Sequence, residues 1–92
     1  MPAISTQEAQ ARLGKLKEWH IEGGQLVKVF KFRHFRDSLA FVNKVGELAE
    51  EAGHHPDIDI RYSTVRLTLT THDAGGLTDK DFDLAAKADR QA

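Results

Sequence analysis

The sequence contains no cysteine. Disulfides, thiolate metal sites and cysteine nucleophiles are therefore excluded, and the composition suits a reducing compartment, so a cytoplasmic protein is expected. Long apolar runs are also missing. Nothing approaches the ~20 apolar residues of a membrane-crossing helix, and the first 17 residues lack the ~7–15-residue apolar core of a signal peptide, so a soluble, unprocessed chain is expected. Charge of one sign is lacking too: 13 Lys and Arg stand against 14 Asp and Glu, a net of −1. The basic residues are scattered, so direct nucleic-acid binding is not expected. With 92 residues, no linker and no low-complexity tract, the chain reads as one small domain over residues 1–92. Domains of this size bury only about 60–65% of the surface of their unfolded chain, so self-association would help.

What is present falls into short, punctuated segments. Ser5 and Glu8 have capping-box spacing and Ile4 precedes Ala9 at staple spacing, predicting a helix over Thr6 to Leu13. Trp19 and Ile21, then Leu26 to Phe32, read as two strands joined at Gly23-Gly24, a pair that tolerates positive φ. From Phe35 to Ala52, apolar residues Phe41, Val42, Val45, Leu48, Ala49 and Ala52 recur every three or four positions, an amphipathic helix stopped by Gly53. Ile58, Ile60 and Tyr62, then Val65, Leu67 and Leu69, alternate with polar residues, predicting two strands with one buried face, turning at Ser63-Thr64. Thr78 with Asp81, and Leu77 with Phe82, announce a final helix from Asp79 to about Ala88. The expected fold is α+β in two layers: a four-stranded, mainly antiparallel sheet with helices on one face, strand-strand-helix occurring twice after a short N-terminal helix.

Histidine supplies the chemistry. His54-His55-Pro56 follows the helix stop, and proline stiffens that loop. His72 lies at the far end of the fourth strand, on the face opposite Val65, Leu67 and Leu69. If strands three and four pair as a hairpin, the end of one returns to the start of the other, bringing His72 to His54 and His55. Near-neutral pKa values equip such a cluster for acid-base work. Zinc is disfavoured, because adjacent histidines on extended backbone point to opposite sides. Glu50, one turn before His54, is placed to orient it or is simply solvated; Asp81 is accounted for by capping; Trp19 is a core residue or a flat wall for an aromatic ligand. His20 and His34 read as surface residues.

Glu50, His54-His55-Pro56, Tyr62, His72 and Asp81 together resemble the pterin-4a-carbinolamine dehydratase family in residue type and spacing. The likeness continues through Phe30 to Phe35 and Leu69 to Thr78, covering Trp19 to the C-terminus. Some animal members of that family also act as dimerisation cofactors of a homeodomain transcription factor. The resemblance implies a homodimer or homotetramer without metal or organic cofactor, acting on 4a-hydroxytetrahydrobiopterin or a related pterin released by an aromatic amino acid hydroxylase. It implies catalysis by His54, His55 and His72, with pterin bound by His54, His55, Pro56, Thr71, His72, Asp73 and Ala74, supported by Glu50, Trp19 and Asp81. Ala74 stands where animal members carry cysteine. The competing expectations are a non-enzymatic binding or assembly factor on the same fold and, further off, a zinc hydrolase.

Overall fold

The computed structural model describes residues 2–92. Helix α1 spans Thr6–Leu13, β1 His20–Glu22, β2 Gln25–Lys31, α2 Phe35–Ala52, β3 Asp57–Arg61, β4 Thr64–Leu69 and α3 Asp79–Asp89, with a single 3₁₀ turn at His72–Ala74. The sheet order is β1-β2-β4-β3, and every neighbouring pair is antiparallel. Helix α2 carries the chain across the sheet, so β4 inserts between β2 and β3. The α+β, two-layer expectation holds.

Alternation along the strands explains the layering. Leu26 and Phe30 of β2 lie opposite Leu69 and Val65 of β4, and all four are buried against Phe41, Val45 and Ala49 of α2 and Phe82, Leu84, Ala85 and Ala88 of α3. Burying each such side chain contributes roughly 1.5–3 kcal/mol before the entropy of ordering is set against it. The opposite face carries charged residues such as Lys31, Arg66 and Asp59, exposed to solvent.

Five local expectations are corrected. The β3–β4 turn is Tyr62-Ser63, one residue earlier than expected, with Arg61 facing Thr64. Tyr62 takes φ 54° there, a value bulky residues rarely adopt. Strand β3 has no buried face: Ile58 and Ile60 pair with buried Leu67 and Val65, yet remain 37% and 36% exposed, because the helices stop short of this edge. Strand β1 starts at His20, since Glu18 at φ 65° turns the chain and leaves Trp19 outside it. The capping box of α1 is only half made: Ser5 Oγ accepts from the Glu8 N–H at 3.1 Å, while the Glu8 carboxylate goes to Arg12. Finally, β4 ends at Leu69, so His72 lies on the 3₁₀ turn and not on the strand. The α3 capping box, by contrast, is complete.

Candidate active site

The end of α2 places the first histidine. Gly53 sits at φ 63°, its N–H bonds the Glu50 carbonyl at 3.3 Å, and the His54 N–H returns to the Ala49 carbonyl at 3.1 Å. These are the two bonds of a Schellman motif, which fixes the backbone of the residue after the glycine. Pro56 then restricts His55 to extended backbone, and Asp57 enters β3 opposite Thr68 of β4. That register sets residues 54–56 level with the residues following Leu69.

Those residues form a tight turn. Thr71 and Gly76 bridge, the Gly75 N–H bonds the His72 carbonyl at 3.1 Å, and Gly75 takes φ 74°. The outcome is one open cleft of about 260 Å³ lined by Gly53, His54, His55, Thr70, Thr71, His72, Asp73 and Lys80. Strand pairing thus brings the three histidines together as the hairpin argument expected, although His72 arrives from a turn.

Behind the cleft lies a buried polar network. Asp81 is fully buried. Its Oδ1 meets His54 Nε2 at 2.6 Å, while its Oδ2 accepts from the Thr71 hydroxyl at 2.8 Å and from the Thr78 N–H at 2.9 Å. A carboxylate in the interior is costly without such partners, and charge-assisted hydrogen bonds offset that cost. The hydroxyls of Thr71 and Thr78 are 2.7 Å apart. His55 Nε2 bonds the Glu50 carboxylate at an exposed position, and the His72 side chain makes no hydrogen bond among the described residues.

Two orientations therefore differ from expectation. Glu50 orients His55 and not His54, and Asp81 does more than cap α3, since its second oxygen holds His54. Trp19 lies apart, buried against Phe30, with its indole N–H donating to Asp89 at 3.0 Å near the opposite end of α3. Pro56 and Ala74 belong to the two loops that border the cleft without lining it. Lys80 is a lining residue the sequence did not suggest, because nothing local distinguishes it from any charged residue in a first helical turn. A larger hollow of about 630 Å³ beside β2 is lined by Glu18, His20, Lys28 and Lys31 among others, with one histidine in place of three.

The family model for pterin 4 alpha carbinolamine dehydratase matches residues 2–91. A Chloroflexus aurantiacus protein provisionally named pterin-4-alpha-carbinolamine dehydratase is 54% identical over 89 residues, 97% of this chain and 96% of its own. A Trichormus variabilis protein with the same provisional name is 58% identical over 83 residues, 90% and 89% of the two chains. Among solved structures, a transcriptional coactivator/pterin dehydratase from Brucella melitensis matches with a TM-score of 0.94 at 29% identity, over 98% of each chain. A pterin dehydratase-like protein identified as a RuBisCO assembly factor in the alpha-carboxysome matches with a TM-score of 0.67 at 28% identity, over 80% of this chain and 86% of that one. The chain belongs to the pterin-4-alpha-carbinolamine dehydratase family.

Proposed function

We propose that this protein removes water from 4a-hydroxytetrahydrobiopterin, or a related 4a-hydroxytetrahydropterin, to give the quinonoid dihydropterin. The observation that carries this reading is the meeting of His54, His55 and His72 on one cleft, two of them braced by carboxylates. The reaction breaks the C4a–O bond and removes the proton on N5, whose electron pair closes a C4a–N5 double bond. The hydroxyl leaves as water once protonated. One acid and one base suffice, and each contributes typically 10²–10⁴-fold. No oxidant or reductant is consumed.

The brace behind His54 suits that ring to proton removal, because a buried carboxylate stabilises an imidazole that has accepted a proton. His72, with no side-chain hydrogen bond among the described residues, protonates the leaving hydroxyl, and His55 on Glu50 closes the wall. Thr71 and Asp73, with the neighbouring Pro56 and Ala74, border the space for the pterin ring.

The substrate arises from an aromatic amino acid hydroxylase in the cytoplasm. The protein acts as a homodimer or homotetramer, a reading supported by the uncovered Ile58 and Ile60 on the β3 edge; a 10.3 kDa species alone in light scattering would contradict it.

The decisive experiment follows the ultraviolet absorbance of freshly generated 4a-hydroxytetrahydropterin over its uncatalysed decay. Wild-type protein accelerates the decay, and the His54→Ala/His72→Ala double variant, folded by circular dichroism, loses more than about 10²-fold of that acceleration. Near wild-type turnover in the double variant would refute the assignment. A second reading, a binding or assembly factor, is supported by the likeness to the assembly factor; it predicts no acceleration by wild-type protein.

A further inference from the structure

We infer that Asp81, held between the Thr71 hydroxyl and the Thr78 N–H, is a positioning residue for His54 that fixes which imidazole nitrogen carries the proton. The inference rests on the dehydratase reading only for its effect on turnover, not for the proton's location.

Donor and acceptor chemistry sets the direction of every bond in the network. Backbone N–H groups only donate, and a carboxylate only accepts. The Lys80 N–H donates to Thr78 Oγ at 3.3 Å, and the Thr78 N–H donates to Asp81 Oδ2 at 2.9 Å. Thr71 Oγ must give its hydrogen to Asp81 Oδ2 at 2.8 Å, so in its 2.7 Å bond with Thr78 Oγ it accepts. Thr78 is thereby the donor of that bond. Two donors are spent on Oδ2, which turns Oδ1 toward His54, and the 2.6 Å bond there requires the hydrogen on Nε2.

The remaining nitrogen, Nδ1, is then a bare acceptor in the neutral ring. It has no hydrogen-bond partner within the described residues, and the hydroxyl of Ser38 is the only buried side-chain polar atom there left without one, so Nδ1 is not sealed from solvent, on a residue that lines the cleft. The titratable groups around His54 are Asp81 behind it, His55 on its own loop, His72 and Asp73 on the 3₁₀ turn, and Lys80 on α3. Of these only Asp81 bonds the ring. Thr78 and Asp81 are buried, as is the Thr71–Thr78 bond, so water does not readily substitute for a lost hydroxyl.

An amide at position 81 tests the directionality. In Asp81→Asn the Thr71 hydroxyl and Thr78 N–H still demand an acceptor on their side. The amide oxygen stays there, the NH₂ group faces His54, and the ring must move its proton to Nδ1. The base at the cleft becomes a donor.

Imidazole nitrogen NMR of the intact protein reads this, with dehydratase turnover measured in parallel. Wild type is expected as the Nε2–H tautomer with an exchange-protected proton, and Asp81→Asn as the Nδ1–H tautomer with turnover down at least about 10²-fold. Thr78→Val keeps the N–H that Asp81 accepts and is expected to retain the Nε2–H tautomer. A wild-type ring protonated on Nδ1, an Asp81→Asn ring still protonated on Nε2, or a Thr78→Val ring that moves its proton to Nδ1 would each overturn the inference. If wild type shows the expected tautomer but no turnover, the dehydratase reading fails while the proton assignment stands.

Discussion

His54 Nε2 and Asp81 Oδ1 are 2.6 Å apart although 27 residues separate them in sequence. The bond ties the C-terminal cap of α2 to the first turn of α3, so one carboxylate serves both the packing of two helices and the orientation of a cleft histidine.

Removing that carboxylate strands three donors at once. Asp81→Ala should cost about 2–4 kcal/mol, because the Thr78 N–H, the Thr71 hydroxyl and His54 lose their acceptor in a buried place and the α3 capping box is broken. For a domain of this size that lowers the melting temperature by roughly 10–25 °C. Thermal unfolding should rank the variants wild type, Asp81→Asn, Asp81→Ala, and an alanine variant melting with wild type would show the network adds no stability.

Gly53 carries the turn that aims His54. A Cβ there would meet no atom within 4 Å, so the cost of Gly53→Ala is backbone strain at φ 63° alone, about 1–2 kcal/mol. Asn tolerates this region better, so Gly53→Asn should melt above Gly53→Ala. Equal melting temperatures for the two would mean that the strain is relieved by moving the loop.

Lys28 and Asp89 respond asymmetrically. Lys28 Nζ lies 2.9 Å from Asp89 and 4.7 Å from the centre of the Phe30 ring, with its side chain only 12% exposed. Lys28→Met replaces it with an apolar chain on a core-facing position, and Asp89 keeps the Trp19 indole N–H, so denaturant unfolding should change by less than about 1 kcal/mol. Asp89→Ala leaves the ammonium without its carboxylate and the indole without its acceptor, costing about 2–3 kcal/mol. The reverse order would contradict this account of the pair.

Acid stability should be traceable in part to Glu22. The hydrogen bond from His20, with Arg66 nearby, holds this carboxyl below its ordinary value of 4.5 despite partial desolvation. A depressed carboxyl contributes stability above the unfolded value and loses it as pH falls through the folded one. Wild type should therefore exceed Glu22→Gln in stability at neutral pH and converge with it in acid. The gap should shrink in salt, because the groups are exposed. Parallel stability curves from neutral pH to pH 3 would rule the contribution out.

Much of the architecture was legible because its signals are local. Helix stops at Gly53, the cap at Thr78 and the alternation of Val65, Leu67 and Leu69 each act within a few residues, and all appear in the structure. The approach of His72 to His54 and His55 was also legible, since antiparallel pairing returns one strand end to the other. The β3 edge was not: Ile58 and Ile60 alternate like buried residues, but whether a helix covers them depends on how far α2 and α3 extend across the sheet. Nor was the turn at Tyr62, where a bulky residue takes the positive φ that sequence reasoning reserves for glycine.

By itself, then, the sequence determined the order of elements, the two-layer α+β fold and the family, together with a histidine trio delivered by backbone pairing. Only tertiary structure decided which carboxylate serves which histidine. Spacing pointed from Glu50 to His54, but the Schellman turn aims His54 inward, toward Asp81, and leaves His55 for Glu50. The reason is physical: periodicity and capping are set by neighbours along the chain, whereas a buried hydrogen bond across 27 residues exists only once two helices have packed.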